Sequence, residues 1–232
     1  MATAALSTLS PDFFAAARAN MVESQLRPNR VLDDRILRAM ARLPREEFVA
    51  LNAQSFAYSD EEVSIGYNRK LLSPMVFARL AQEAQVGSAD RVLIIGAGTG
   101  YGAAVLNEMA GEVVAMETDP ALLRLLQQNC QKFELENVRA VQGSLIDGYT
   151  AAAPYQVIFI EGGVQWLPEN LLMQLTEGGR LMCVYYGVRQ FEGQLGRAHR
   201  YDKNNGRVEM QDLFDAAAPL LPAFASRPRF EF

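Results

Sequence analysis

From Arg91 onward, short apolar and mostly β-branched runs recur along the chain: Val92 to Ile95, Val113 to Met116, Val138 to Val141, Val157 to Ile160 and Leu181 to Tyr185. Runs of that length with no polar alternation predict strands buried on both faces. The stretches between them carry helix start signals, notably Asp119-Pro120 ahead of LLRLLQQNCQKF and Pro168 ahead of ENLLMQL, with Gly178-Gly179 as a stop behind the second. Alternating strand and helix predicts an α/β architecture: a mostly parallel sheet covered on both faces. The pattern then changes. RAHRYDKNNGRVEMQDLF alternates polar and apolar positions around Asn204-Asn205-Gly206, which predicts a C-terminal antiparallel hairpin.

Residues up to about Gln85 follow a different period. Phe13 to Leu26 and Leu32 to Leu43 carry apolar residues at helical spacing, the second stopped by Pro44, and Ser73-Pro74 is an N-cap and first-turn pair that opens a further helix. The expected organisation is an N-terminal helical extension, residues 1–85, packed on an α/β core, residues 86–232. Internal repeats and low-complexity linkers are absent from the sequence.

Composition narrows the function classes. With 232 residues, 50% of them hydrophobic and 21% charged, the chain has the balance of a globular protein with a sizeable core. A formal charge of -5 and no basic stripe argue against nucleic acid as a partner. Cys130 and Cys183 lie far apart without a metal-ligand spacing, as expected of reduced thiols in a reducing compartment. The first twenty residues are interrupted by Ser7, Thr8, Ser10, Pro11 and Asp12, a poor signal peptide, and Val92 to Leu106 is too short and glycine-broken to span a bilayer. The expectation is a cytoplasmic protein without membrane contact.

The candidate chemistry sits where the first buried run ends, in VLIIGAGTGYGAAVL. Gly96, Gly98 and Gly100 fall where a strand must turn into a helix, the place at which an open α/β sheet holds its ligand, and residues without a Cβ let backbone amides approach one. A dinucleotide fingerprint counted from Gly96 meets Tyr101 where glycine is required; counted from Gly98 it reaches Ala103 but starts two residues late. Glu117 ends the second strand, where a carboxylate accepts both hydroxyls of an adenosine ribose. The acid serves a nucleotide and S-adenosylmethionine equally. His199, the single histidine, falls on the expected hairpin and reads as structural, and Trp166 and Tyr185-Tyr186 read as packing residues.

Several long blocks resemble the protein-L-isoaspartate O-methyltransferases, a branch of the class I S-adenosylmethionine-dependent methyltransferases. They are MVESQLRPNRVLDDRILRAMARLPREEFV, AYSDEEVSIG, the glycine turn, APYQVIFIEGG and LPENLLMQLTEGGRLM, together covering most of residues 21 to 187. The glycine turn is common to many methyltransferases; the N-terminal block is specific to this family. The resemblance implies a Rossmann-like seven-stranded methyltransferase core, with the helical extension helping to form a peptide groove. It also implies methyl transfer from S-adenosylmethionine, leaving S-adenosylhomocysteine, to the free carboxylate of isoaspartyl residues in damaged proteins. The implied cofactor-binding positions are Gly96, Ala97, Gly98, Thr99, Gly100 and Tyr101 of the turn, Glu117 and Thr118, Ser144 and Leu145, and Glu161.

Against that family's pattern the chain departs at several positions. Where members read P-I-G-x-G-Q-T-I-S-x-P, this chain has SIGYNRKLLSP; Gly66 and Pro74 keep the spacing, so Lys70 stands at the threonine, Leu72 at the serine, and Ser73 one residue late. Ser73 is the candidate catalytic residue, with N-capping of the helix at Pro74 as its competing role. Arg69 and Lys70 either attract an anionic substrate or simply face water. Ile94 replaces the family's strand acid, Ser144 its aspartate in G-D-G, and Glu161-Gly162-Gly163 its T-A-A-A, whereas Glu117 keeps the ribose-binding acid. Three readings remain open: isoaspartyl repair, methylation of another acceptor, and a non-catalytic binding or interaction protein.

Overall fold

A computed structural model describes residues 10–187 and 195–225. Ser7 and Thr8, which interrupt the N-terminal apolar stretch, lie outside the described residues. Helix α1 (Pro11–Met21) is capped by the Ser10 hydroxyl, and its last turn widens into a π-turn over Val22–Leu26. Helix α2 (Asp34–Arg42) is capped by Asp33, and α3 (Pro74–Ala84) by Ser73, whose hydroxyl accepts from the Val76 amide at 3.4 Å. The N-terminal part is not wholly helical, however. Strands β1 (Val63–Gly66) and β2 (Arg69–Leu71) form a small antiparallel hairpin. Its turn residues Tyr67 and Asn68 both take left-handed backbone, with φ of 52° and 54°. That turn lacks the Asn-Gly signature, so the sequence pattern does not announce it.

The central sheet has seven strands in the order β5-β4-β3-β6-β7-β8-β9. These are β3 (Arg91–Ile95), β4 (Glu112–Glu117), β5 (Val138–Gln142), β6 (Tyr155–Val164), β7 (Leu175–Tyr185), β8 (Gly196–Asn204) and β9 (Arg207–Ala216). The first five pair in parallel, and β8 and β9 add the expected antiparallel hairpin at the edge. Its turn at Asn205 and Gly206, both at positive φ, matches the right-handed strand twist. Helices α4 (Tyr101–Asn107), α5 (Pro120–Lys132, capped by Asp119) and α6 (Glu169–Met173) make the crossovers. One boundary differs from expectation: Gly178 and Gly179 lie inside β7 rather than behind a helix, because α6 ends at Met173 and the strand begins at Leu175.

Alternation along the strands builds two cores. Val92, Ile94, Val113 and Ala115 face the N-terminal helices, with α3 and α4 supplying Phe77, Leu80, Ala104 and Val105. Leu93, Ile95, Val114 and Met116 face the other side, closed by Leu145, Tyr155, Leu171, Leu221 and Phe224. Ile94 is fully buried in the first core, so the position that carries the family's acid here serves packing. Cys130 and Cys183 are free thiols. His199 stacks on Tyr185, with ring centroids 5.1 Å apart, and its Nε2 lies 2.7 Å from Asp212. Trp166 packs on Phe224, and the Tyr186 hydroxyl bonds the Ala218 backbone. Among the described residues no helix is long and apolar enough to cross a membrane.

Candidate functional site

Chain order reverses between β3 and β6: β4 and β5 extend the sheet on one side, β6 and β7 on the other. The loops leaving β3 and β6 therefore diverge and open a crevice at the carboxyl ends of the strands. The glycine turn fills one wall. Gly98 has φ of +55°, a conformation that favours glycine, and a Cβ there would stand 2.7 Å from Ile65 Cδ1. Its amide points at Glu117.

Glu117, fully buried at the end of β4, is held by four donors. Oε1 accepts from the Thr118 amide at 2.8 Å, the Asp119 amide at 3.2 Å and Arg69 Nη1 at 3.1 Å, and Oε2 accepts from the Gly98 amide at 2.9 Å. A carboxylate offers about four lone-pair sites, so this acid is saturated. Arg69 Nη2 also donates to the Gly96 carbonyl at 3.0 Å, and the side chain is only 10% exposed. The expectation that Arg69 faces water or an anionic substrate is therefore corrected: the positive φ pair at Tyr67-Asn68 folds β2 back over the glycine turn and points the guanidinium inward. Lys70, next along the strand, points outward to Glu62 at 3.4 Å.

Glu161 closes the crevice from β6. It is buried, its Oε2 has no hydrogen-bond partner among the described residues, and it crowds Gly102, where a Cβ would fall 1.9 Å from Oε1. Burial pushes its carboxyl up to about 8; Arg69 and Arg45 oppose that shift and Glu117 adds to it. Glu161 is thus neutral at pH 7. Because the folded state keeps a proton that the unfolded chain releases near the ordinary value of 4.5, stability falls as pH rises from about 4.5 to 8. The slope reaches at most about 1.4 kcal/mol per pH unit. Glu161→Gln should flatten this part of the profile, as urea-unfolding midpoints at pH 5, 6, 7 and 8 would show; a native profile equally flat would mean that Glu161 is solvated.

The structure brings Gly96, Ala97, Gly98, Glu117 and Glu161 together, with the Thr118 amide on Glu117. Other candidates go elsewhere. The Thr99 hydroxyl donates to the Phe48 carbonyl at 2.6 Å, and the Tyr101 ring is buried edge-on to Phe48 beneath the Arg45 guanidinium. Gly100, at φ +94°, serves as the N-cap of α4. Ser144 is exposed beyond β5, and Leu145 belongs to the second core. Ser73 caps α3 and lines an outer groove of about 410 Å³ with Asp60, Glu61, Glu62, Lys70 and Asp215. Leu72, 3% exposed, turns inward instead.

Three residues escaped sequence reasoning. Arg45 is buried: its Nε donates to the Ala57 carbonyl at 2.7 Å, its Nη2 to the Leu72 carbonyl at 2.6 Å, and its guanidinium lies 4.7 Å from the Tyr101 ring centroid. Burial lowers its pKa. Ile65 and Leu221 cover Gly98 and Gly96. The space left among Ile65, Lys70, Leu71, Leu72, the Gly96–Gly98 turn and Glu161 is about 10 Å³, room for one water at most.

Comparison with known proteins places this geometry. Residues 17–218 match the model of the protein-L-isoaspartate(D-aspartate) O-methyltransferase family. A protein-L-isoaspartate O-methyltransferase of Protochlamydia amoebophila is 38% identical over 189 residues, which is 82% of this chain and 90% of the relative; one of Herpetosiphon aurantiacus is 39% identical over 193 residues, 83% and 85%. A solved protein-L-isoaspartate O-methyltransferase superposes with a TM-score of 0.74 at 26% identity, covering 88% of this chain and 65% of its own. The fold is shared with a Plasmodium falciparum protein solved with S-adenosyl-L-homocysteine, at a TM-score of 0.73 and 17% identity over 90% of this chain and 98% of the other.

Proposed function

Because the chain belongs to the protein-L-isoaspartate(D-aspartate) O-methyltransferase family, we propose that it transfers a methyl group from S-adenosylmethionine to the carboxylate of isoaspartyl residues in damaged proteins, at a rate held low by Leu72. The observation that carries this reading is Glu117 at the switch point of the sheet, receiving the Gly98 amide across the glycine turn. Relatives 38% and 39% identical over more than four-fifths of the chain bear the same family name.

The acceptor chemistry asks little of the protein. A carboxylate is already nucleophilic at neutral pH, so the enzyme needs no general base, and its share of the work is alignment and exclusion of water, worth roughly 7–11 kcal/mol where fully realised. Ser73 is engaged as the cap of α3, and Leu72, in register with the family's serine, offers no donor. The cleft is walled by Ile65, Leu72 and Leu221. As folded, Arg69 and three backbone amides hold the Glu117 oxygens, and Ile65 covers the glycine turn. That closure also favours a second reading, a non-catalytic member of the family.

Calorimetry followed by a labelled-methyl assay separates the two. The chain should bind S-adenosylhomocysteine but not NAD, and should pass label slowly to an isoaspartyl peptide. Tight NAD binding would overturn the cofactor assignment; cofactor binding with no transfer to that peptide would overturn isoaspartyl methylation.

A further inference from the structure

We infer that Arg69 is the chain's own occupant of the adenosyl cleft, and that cofactor is admitted only when the β1–β2 hairpin withdraws it, presupposing that this cleft is the cofactor site proposed above. Two observations support the inference. The guanidinium spans the two groups that frame the cleft floor, Glu117 at 3.1 Å and the Gly96 carbonyl at 3.0 Å. It thereby occupies an acceptor site on Oε1 that a ribose hydroxyl would take. Ile65, from the partner strand of the same hairpin, fills the space over Gly98. One short element therefore supplies both the polar and the apolar part of the plug.

The hairpin is separate from the central sheet, with Val63, Ile65 and Leu71 packed into the first core. Among the described residues β1 and β2 form their own two-stranded sheet, outside the seven-stranded one, tied back by the bond from the Ala50 amide to the Ser64 carbonyl at 3.0 Å. A two-stranded hairpin is marginal by itself, so its withdrawal breaks no ladder of the central sheet. Glu117 would not be stranded, since the Gly98, Thr118 and Asp119 amides stay on it. Glu161, facing Arg69, Arg45 and Glu117, keeps its proton at neutral pH. The ligand that replaces Arg69 should bring a ribose diol together with a positive centre, as S-adenosylmethionine does with its sulfonium and ammonium groups.

The affinity seen for such a ligand is the intrinsic affinity reduced by the fraction of molecules with the hairpin withdrawn. If that fraction is on the order of a tenth or less, removing the plug should tighten binding about tenfold or more. The test is calorimetric titration of S-adenosylhomocysteine into the native chain, Arg69→Ala and Arg69→Gln, with thermal unfolding to confirm that each variant is folded. The alanine variant should bind about tenfold tighter or better, the glutamine variant should fall between, and ligand should speed hydrogen exchange at residues 63–71 of the native chain. Equal or weaker binding by both folded variants, beside a native chain that binds, overturns the plug and leaves the methyltransferase reading standing. If none of the three binds, the plug is overturned together with the cofactor assignment.

Discussion

Arg45→Ala is expected to destabilise the fold by about 3–5 kcal/mol, measured as the shift in urea-unfolding free energy. The size comes from what the guanidinium leaves behind rather than from its charge. Its Nε and Nη2 satisfy the buried carbonyls of Ala57 and Leu72 at 2.7 and 2.6 Å, and the side chain is 1% exposed. Each carbonyl left without a donor costs about 1–3 kcal/mol. The cation over the Tyr101 ring and the volume of the stem add to that. Arg45→Met separates the contributions: it keeps most of the volume and removes the donors. A cost below about 1 kcal/mol for the methionine variant would show that water or a rearranged backbone satisfies the carbonyls, and that packing alone is at stake. The same contact reaches the site, because Leu72, whose carbonyl Arg45 holds, also lines the residual cleft.

At saturating cofactor, Leu72→Ser should raise isoaspartyl methylation about ten- to a few hundredfold over the native chain. One aligned hydrogen bond to a charged oxygen contributes roughly 1.5–3 kcal/mol, and each 1.36 kcal/mol of barrier is about tenfold in rate. The position is suited to it: Leu72 lines the residual cleft beside Gly96, Ala97, Gly98 and Glu161, whereas Ser73 faces the outer groove. Ser73→Ala should leave the rate unchanged and cost about 1 kcal/mol of stability through the lost cap. A labelled-methyl assay of the three proteins, with unfolding curves alongside, decides between them. Substantial native activity that collapses in Ser73→Ala would make Ser73 the catalytic serine and displace Leu72 from that register.

The strands, the glycine turn and the helix caps were legible in the sequence because each is encoded locally. Val92 to Ile95 is apolar on both faces, and Ser73-Pro74 and Asp119-Pro120 carry a capping oxygen followed by a preset φ, so the structure reproduces them. Val138 to Val141 also forms a strand, but at the sheet edge and with no residue fully buried, which corrects the expectation of burial on both faces. The hairpin at Asn204-Asn205-Gly206 is encoded in the same way. Glu117 could be assigned to a strand end from spacing alone. What surrounds it could not. Arg69 lies 48 residues away in sequence, and nothing in YNRK distinguishes a solvated arginine from a buried one until Tyr67 and Asn68 adopt left-handed backbone and fold the strand back. Arg45 is equally silent in PREEF, because its partners, two backbone carbonyls and a ring face, have no signature in sequence. Local backbone preference and hydrophobic period therefore determined the sheet and where its crevice opens. Only tertiary packing decided that Arg69 and Ile65 cover the glycine turn, since an ion pair and an apolar cover form between segments whose meeting depends on the whole fold.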